Sequence, residues 1–175
     1  MQLFVIRHAI AAELESGAPE GADAQRPLTR KGIQRFRQSV QGMGALGLRF
    51  SSVLHSPWRR AVETAQLVAP LVAAGGSTLP TELMCRAPAP ALLALIAEHG
   101  KSQGELAAAG LGVAVVGHEP WLGELIGLLT AGDADAGESL VLKKGSVSWL
   151  EGSAVTGGMS LRALLPPRVL RAVRD

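Results

Sequence analysis

Short apolar runs alternate with longer stretches of helical period along this chain. Residues 3–6, 52–55, 78–82 and 113–117 read as strands, and residues 31–46, 59–73, 89–99 and 121–129 as the helices between them. A run such as LFVI is apolar at every position, as a strand buried on both faces is, so helices must cover both sides. The pattern predicts a three-layer α/β/α sandwich with a mainly parallel central sheet. Near the end, residues 146–150 and 159–164 flank a Gly-rich stretch and predict a final hairpin or antiparallel edge. Pro166 and Pro167 suit the first turn of a short last helix. Neither an internal repeat nor an interdomain linker interrupts the pattern, which makes residues 1–175 one domain.

The chemistry sits where apolar runs stop. FVIRHA drops from a buried strand into Arg7 and His8, and open α/β sheets bind their ligands beyond the carboxyl ends of strands. VLHSPWRRAVETA closes a second strand at Val53 and Leu54. Ser56 is predicted as the cap of the following helix and Pro57 as its first residue. Arg60 then falls in the first turn, tilted back toward free backbone N–H groups, a favourable place for an anion. VAVVGHEPWLGEL ends a third strand at Gly117, and His118 follows just before Pro120 opens a helix. Either histidine or Arg60 alone carries little. Together, three strands deliver two arginines and two histidines to one rim, a set suited to a phosphoryl group. Two histidines could also suit zinc, but the arginines would repel a metal, and no carboxylate or thiol has suitable spacing.

The polar, Gly- and Ala-rich residues 13–25 form a loop near the end of the first strand, either a lid or a plain connector. Gly75 and Gly76, like Gly157 and Gly158, lack the context of a nucleotide-binding loop and read as turns.

Composition narrows the class without altering this picture. At 47% hydrophobic and 18% charged, the chain is globular rather than disordered. Seventeen Lys and Arg against fifteen Asp and Glu leave +2, too slight an excess for nucleic acid or an anionic membrane. Any anion chemistry must therefore be local. The lone Cys85 excludes an internal disulfide, fits a reducing compartment and reads as an ordinary small side chain. Arg7 and His8 interrupt the N-terminal apolar run before a signal peptide could form, and no apolar run reaches about 18 residues. A soluble cytoplasmic protein is expected.

Four ordered blocks, the Arg7-His8-Ala9 stretch, RPLTRKG from Arg26, SPWRRAVETA and VVGHEP, resemble the histidine phosphatase superfamily, also called phosphoglycerate mutase-like. SLRALLPPRVL resembles the end of its short bacterial members, and the compact length is most similar to the SixA-type phosphohistidine phosphatases. Ala9 stands where the family commonly has glycine.

The resemblance implies that His8 is the nucleophile, that Arg7 and Arg60 grip the phosphoryl oxygens, and that His118 completes the clamp without a metal or cofactor. It implies a phosphorylated protein as partner, such as a histidine-phosphotransfer domain, and the chain is expected to act as a monomer. Arg26 corresponds to an arginine approaching the pocket mouth, a substrate-binding role set against a plain water-facing one. Ester-cleaving relatives use a carboxylic acid to protonate the leaving group. Glu82 is the candidate here, equally readable as a solvated residue, and Glu119 is a second. Imidazole, with a reference pKa of about 6.5, leaves more easily than an alkoxide, so a site without a strong acid suits a phosphoramidate. Arg59, Arg168, Arg171 and Arg174 fall at helical spacings and read as solvated faces, with a docking role open. The alternatives are a small-molecule phosphomonoesterase and a non-catalytic phosphoprotein-binding module.

Overall fold

Residues 1–101 and 111–173 are described by a computed structural model, so Arg174 lies outside the described residues. Six strands, β1 (Gln2–Arg7), β2 (Phe50–His55), β3 (Val72–Pro80), β4 (Gly112–Gly117), β5 (Val147–Gly152) and β6 (Met159–Leu165), form one sheet in the order β3-β2-β4-β1-β5-β6. The first four run parallel; β5 and β6 are antiparallel and make the expected terminal hairpin. The described helices are α1 (Arg30–Ala45), α2 (Arg59–Leu67), α3 (Pro90–Lys101), α4 (Trp121–Ala131) and α5 (Pro167–Ala172).

Alternate residues of the central strands feed two separate cores, as the two-residue period of a strand requires. Phe4, Ile6 and Val53 pack with Phe36 of α1, Ala61 of α2 and Leu170 of α5 on one face. Leu3, Val5 and Leu54 pack with Ile96 of α3 and Ile126 of α4 on the other. The three-layer sandwich follows. Each large apolar side chain so buried contributes roughly 1.5–3 kcal/mol relative to exposure.

Two predicted boundaries move by several residues. The apolar pattern carried the second helix to residue 73, but α2 stops at Leu67 and a short 3-10 turn, Ala69–Leu71, follows. Pro70 explains the break, because proline lacks the N–H that a continuing helix needs. Val68 and Leu71 stay buried regardless, which is why their period looked helical. β3 then begins at Val72, so Gly75 and Gly76 lie within the strand rather than in a turn. They occupy an irregular stretch where the register against β2 jumps from Phe50 opposite Val72 to Ser52 opposite Ser77. Gly157 and Gly158 do occupy the β5–β6 connection. Glu82, expected at a strand end, opens a 3-10 turn, Glu82–Cys85.

The loop after β1 is fastened to the start of α1. Thr29 caps that helix by accepting from Gly32 N at 2.9 Å, and the Thr29 N–H donates to the Ile10 carbonyl at 2.9 Å. A Cβ on Gly32 would stand 2.1 Å from that carbonyl oxygen. Only glycine permits this approach.

Candidate active site

Strand register alone brings the three sequence motifs to one rim. Arg7 lies opposite Gly117 and His55 opposite Val116, so the residues just beyond each strand are neighbours. Backbone bonds hold them there: His8 N donates to the Gly117 carbonyl and Ser56 N to the Val116 carbonyl, both at 3.0 Å. His8, Arg60 and His118 are all buried, at 4%, 3% and 3% exposure. Polar groups so enclosed need a purpose or a partner.

His8 Nδ1 lies 2.7 Å from the Ala9 carbonyl oxygen. A carbonyl only accepts, so Nδ1 carries the proton and Nε2 keeps its lone pair. Burial pushes the pKa of His8 down to about 3, and the nearby charges of Arg60, Arg7 and Lys144 act in the same direction. The imidazole is neutral at physiological pH. Its ring centroid is 5.1 Å from that of His118.

Arg60 is tied to the His8 loop through one hydroxyl. Ala9 N donates to Thr64 Oγ1 at 3.0 Å, and that hydroxyl donates to the Arg60 carbonyl at 2.6 Å. The Arg60 guanidinium lies over the Trp58 ring, 4.6 Å from its centroid. Its Nη2 donates to Asp23 Oδ2 at 2.9 Å and its Nη1 to the Asp23 carbonyl at 2.5 Å. Arg26 binds the same carboxylate at 2.6 Å and the Ala12 carbonyl at 2.9 Å. Burial alone would raise the Asp23 pKa, but the hydrogen bonds and charges of Arg60 and Arg26 outweigh it and hold the carboxyl below its ordinary value. Arg26 thus sits beside Arg60, one carboxylate removed. Residues 13–25, read as lid or connector, place Asp23 on the rim.

Arg7 donates through Nη1 to the Leu142 carbonyl, while its Nε is buried without a partner in the described chain. Arg60 Nε and His118 Nδ1 are likewise buried and unpaired. Burial pushes His118 down to about 3, with Arg60 adding to the effect. His118 Nε2 lies 2.9 Å from Ser56 Oγ. Ser56 is therefore not the helix cap expected of it: the cap position of α2 is Trp58, with Pro57 ahead of the helix, and the Ser56 hydroxyl serves His118 instead.

The two candidate acids differ. Glu82 is exposed, with Cys85 nearby. Glu119 is half-buried; burial raises its pKa against the opposing Gly123 N–H bond at 3.1 Å and the charge of Arg7. Among the described residues no group of three or more His, Cys, Asp or Glu could hold a metal ion. None of the described helices is long and apolar enough to cross a membrane. Asp23, Thr64 and the second role of Ser56 escaped the sequence motifs. Asp23 lies in a segment without period, and Thr64 shows only as a helix-interior threonine, a residue type that often bonds the preceding turn.

No family model matches the chain. An uncharacterized protein of Picosynechococcus sp. is 35% identical over 154 residues, 88% of this chain and 87% of its own. The two chains belong to one family. A solved SixA protein histidine phosphatase, in complex with tungstate, superposes with a TM-score of 0.70 at 23% identity, covering 97% of this chain and 99% of that one. Its fold is that of the histidine phosphatase superfamily. Two further members with this fold are similar. The alpha-ribazole phosphatase of Shigella flexneri has a TM-score of 0.62 at 19% identity over 95% and 97% of the chains. The phosphoglycerate mutase of Bacillus anthracis has 0.60 at 18% over 97% and 94%. The same fold thus serves a protein histidine phosphatase, an alpha-ribazole phosphatase and a phosphoglycerate mutase.

Proposed function

We propose that this chain is a phosphatase that passes a phosphoryl group through His8 to water, with phosphohistidine on a protein as its substrate. One observation carries the reading: His8 Nδ1 is committed to the Ala9 carbonyl at 2.7 Å, which leaves the Nε2 lone pair free beside His118 and the arginines. In the first step Nε2 forms a bond to phosphorus as the phosphorus–nitrogen bond of the substrate breaks. The departing imidazole takes its proton from solvent. In the second step water attacks the phosphorylated His8, and phosphate leaves as Nε2 recovers its lone pair. Arg7, Arg60 and His118 hold the three equatorial oxygens and stabilise their charge throughout. In this reading the enzyme needs no metal, works as a monomer and acts in the cytoplasm, where a lone thiol stays reduced.

Two features favour phosphohistidine. Asp23, the carboxylate on Arg60, is held ionised and so is a poor proton donor to an alkoxide. A cleft of about 440 Å³ beside Ala9 is lined by Arg35, Lys143, Lys144 and Arg171 over Phe36, a surface fit for an acidic protein partner such as a histidine-phosphotransfer domain. Arg26 binds substrate at the rim in this scheme. The second reading, a small-molecule phosphomonoesterase, has one observation in its favour. Glu119, with its pKa raised by burial beside Arg7, could protonate an alkoxide.

The test is a side-by-side rate measurement on a phosphohistidine protein and on phosphate esters, with labelled phosphate tracked on the enzyme. The expected result is faster turnover of the protein and an acid-labile, alkali-stable label that disappears in His8→Ala. Ester hydrolysis faster by orders of magnitude would transfer the conclusion to the second reading. Retained turnover in His8→Ala would overturn both.

A further inference from the structure

Ser56 is fully buried, and its hydroxyl oxygen has three polar neighbours. Trp58 N lies at 3.2 Å, Cys85 Sγ at 3.1 Å and His118 Nε2 at 2.9 Å. A hydroxyl has one proton to give and two lone pairs to offer. The Trp58 amide can only donate, so it takes one lone pair. The proton must go either to sulfur or to the imidazole.

The choice is decided by acceptor strength. A thiol sulfur is a weak acceptor, whereas an imidazole nitrogen is a good one. Burial raises the Cys85 pKa, so no thiolate is present to compete. The Cys85 proton has its own outlets, the second Ser56 lone pair or Glu82. The hydroxyl proton therefore points at His118 Nε2.

A neutral imidazole that accepts at Nε2 must carry its proton at Nδ1. Nδ1 is the buried His118 atom without a partner in the described chain. We propose that Ser56 is a positioning residue that holds His118 as the Nδ1–H tautomer, so that Nδ1 donates to the phosphoryl group. Phosphoryl oxygens only accept, and the opposite tautomer would aim one lone pair at another. The two histidines are then fixed in the same tautomer by different means. His8 donates from Nδ1 to a carbonyl and keeps Nε2 as nucleophile; His118 accepts at Nε2 and keeps Nδ1 as donor.

The role given to His118 rests on the phosphatase reading, but the tautomer does not. Nitrogen-15 NMR of the imidazole rings at neutral pH, with His118 assigned through His118→Gln, measures it directly. The expected wild-type pattern is a protonated Nδ1 and a bare Nε2 on His118. In Ser56→Ala the proton shifts toward Nε2, and kcat/KM on phosphoramidate falls about 10- to 100-fold, the loss of one hydrogen bond to a charged group. Ser56→Thr, which keeps the hydroxyl, restores the wild-type tautomer and most of the rate. A wild-type His118 protonated at Nε2, or on both nitrogens, overturns the proposal, as does a Ser56→Ala enzyme with an unchanged tautomer. If the tautomer is as stated but no phosphorylated compound is turned over, the functional reading fails and the positioning stands.

Discussion

At the scale of single residues, the site is set by which atoms are already spoken for. Asp23 occupies both terminal nitrogens of Arg60, the positions a phosphoryl group would use. Its side chain is 39% exposed, so water screens the pair and the competition is mild. Asp23→Asn is expected to bind inorganic phosphate about two- to fivefold more tightly, read by calorimetric titration. Weaker binding would mean that Asp23 orients Arg60 rather than contests it. The sequence marked Arg7, His8, Arg60 and His118 because each breaks an apolar run at a strand end or opens a helix. Asp23 gave no such signal: it stands in an aperiodic loop, and only the folded chain reveals its charge partners.

At the scale of elements, strand ends were legible and helix ends less so. β1 and β4 carry apolar runs on both faces that give way to Arg7 and His118, as strands buried in a largely parallel sheet do, while β2 buries Ser51 and Ser52 beside Val53 and Leu54. The end of α2 differs from the apolar pattern because Val68, its cap, and Leu71, in the following 3-10 turn, are buried at nearly the spacing of a helix. Long-range contacts left no trace in either pattern. Gly32 is one: α1 presses on the Ile10 carbonyl there, with no room for a methyl group. Gly32→Ala is expected to lower unfolding free energy by about 1–3 kcal/mol in denaturant titration, and to loosen the loop after His8. An unchanged midpoint would mean that the loop yields without cost.

At the scale of the whole molecule, the two buried histidines couple stability to pH. His8 and His118 titrate near 3 when folded and near the ordinary imidazole value, about 6.5, when unfolded. Between these values the unfolded chain binds more protons, so stability is complete above about pH 6.5 and is lost as pH falls toward 3. Each histidine costs up to about 1.4 kcal/mol per pH unit in that window. Urea unfolding at pH 7 and pH 5 should show the drop, and His118→Gln should lessen it. A flat profile would mean that each ring takes up protons equally in the folded and the unfolded chain, its pKa unshifted by the fold. The small net charge of +2 concealed this behaviour, because it counts histidines as neutral and says nothing of where cations gather.

The position of β1 in the sheet has a temporal consequence. Leu3 pairs with Val113 on one side and Leu150 on the other. β1 thus leaves the ribosome well ahead of both its neighbours and has no sheet partner until about a hundred residues more have been synthesised. Such distant pairing slows folding, since chain ends must search before contacts reward them. A nascent chain arrested before β4 holds Arg7, His8 and Arg60 yet lacks the strand that lies between β1 and β2 and sets them in register.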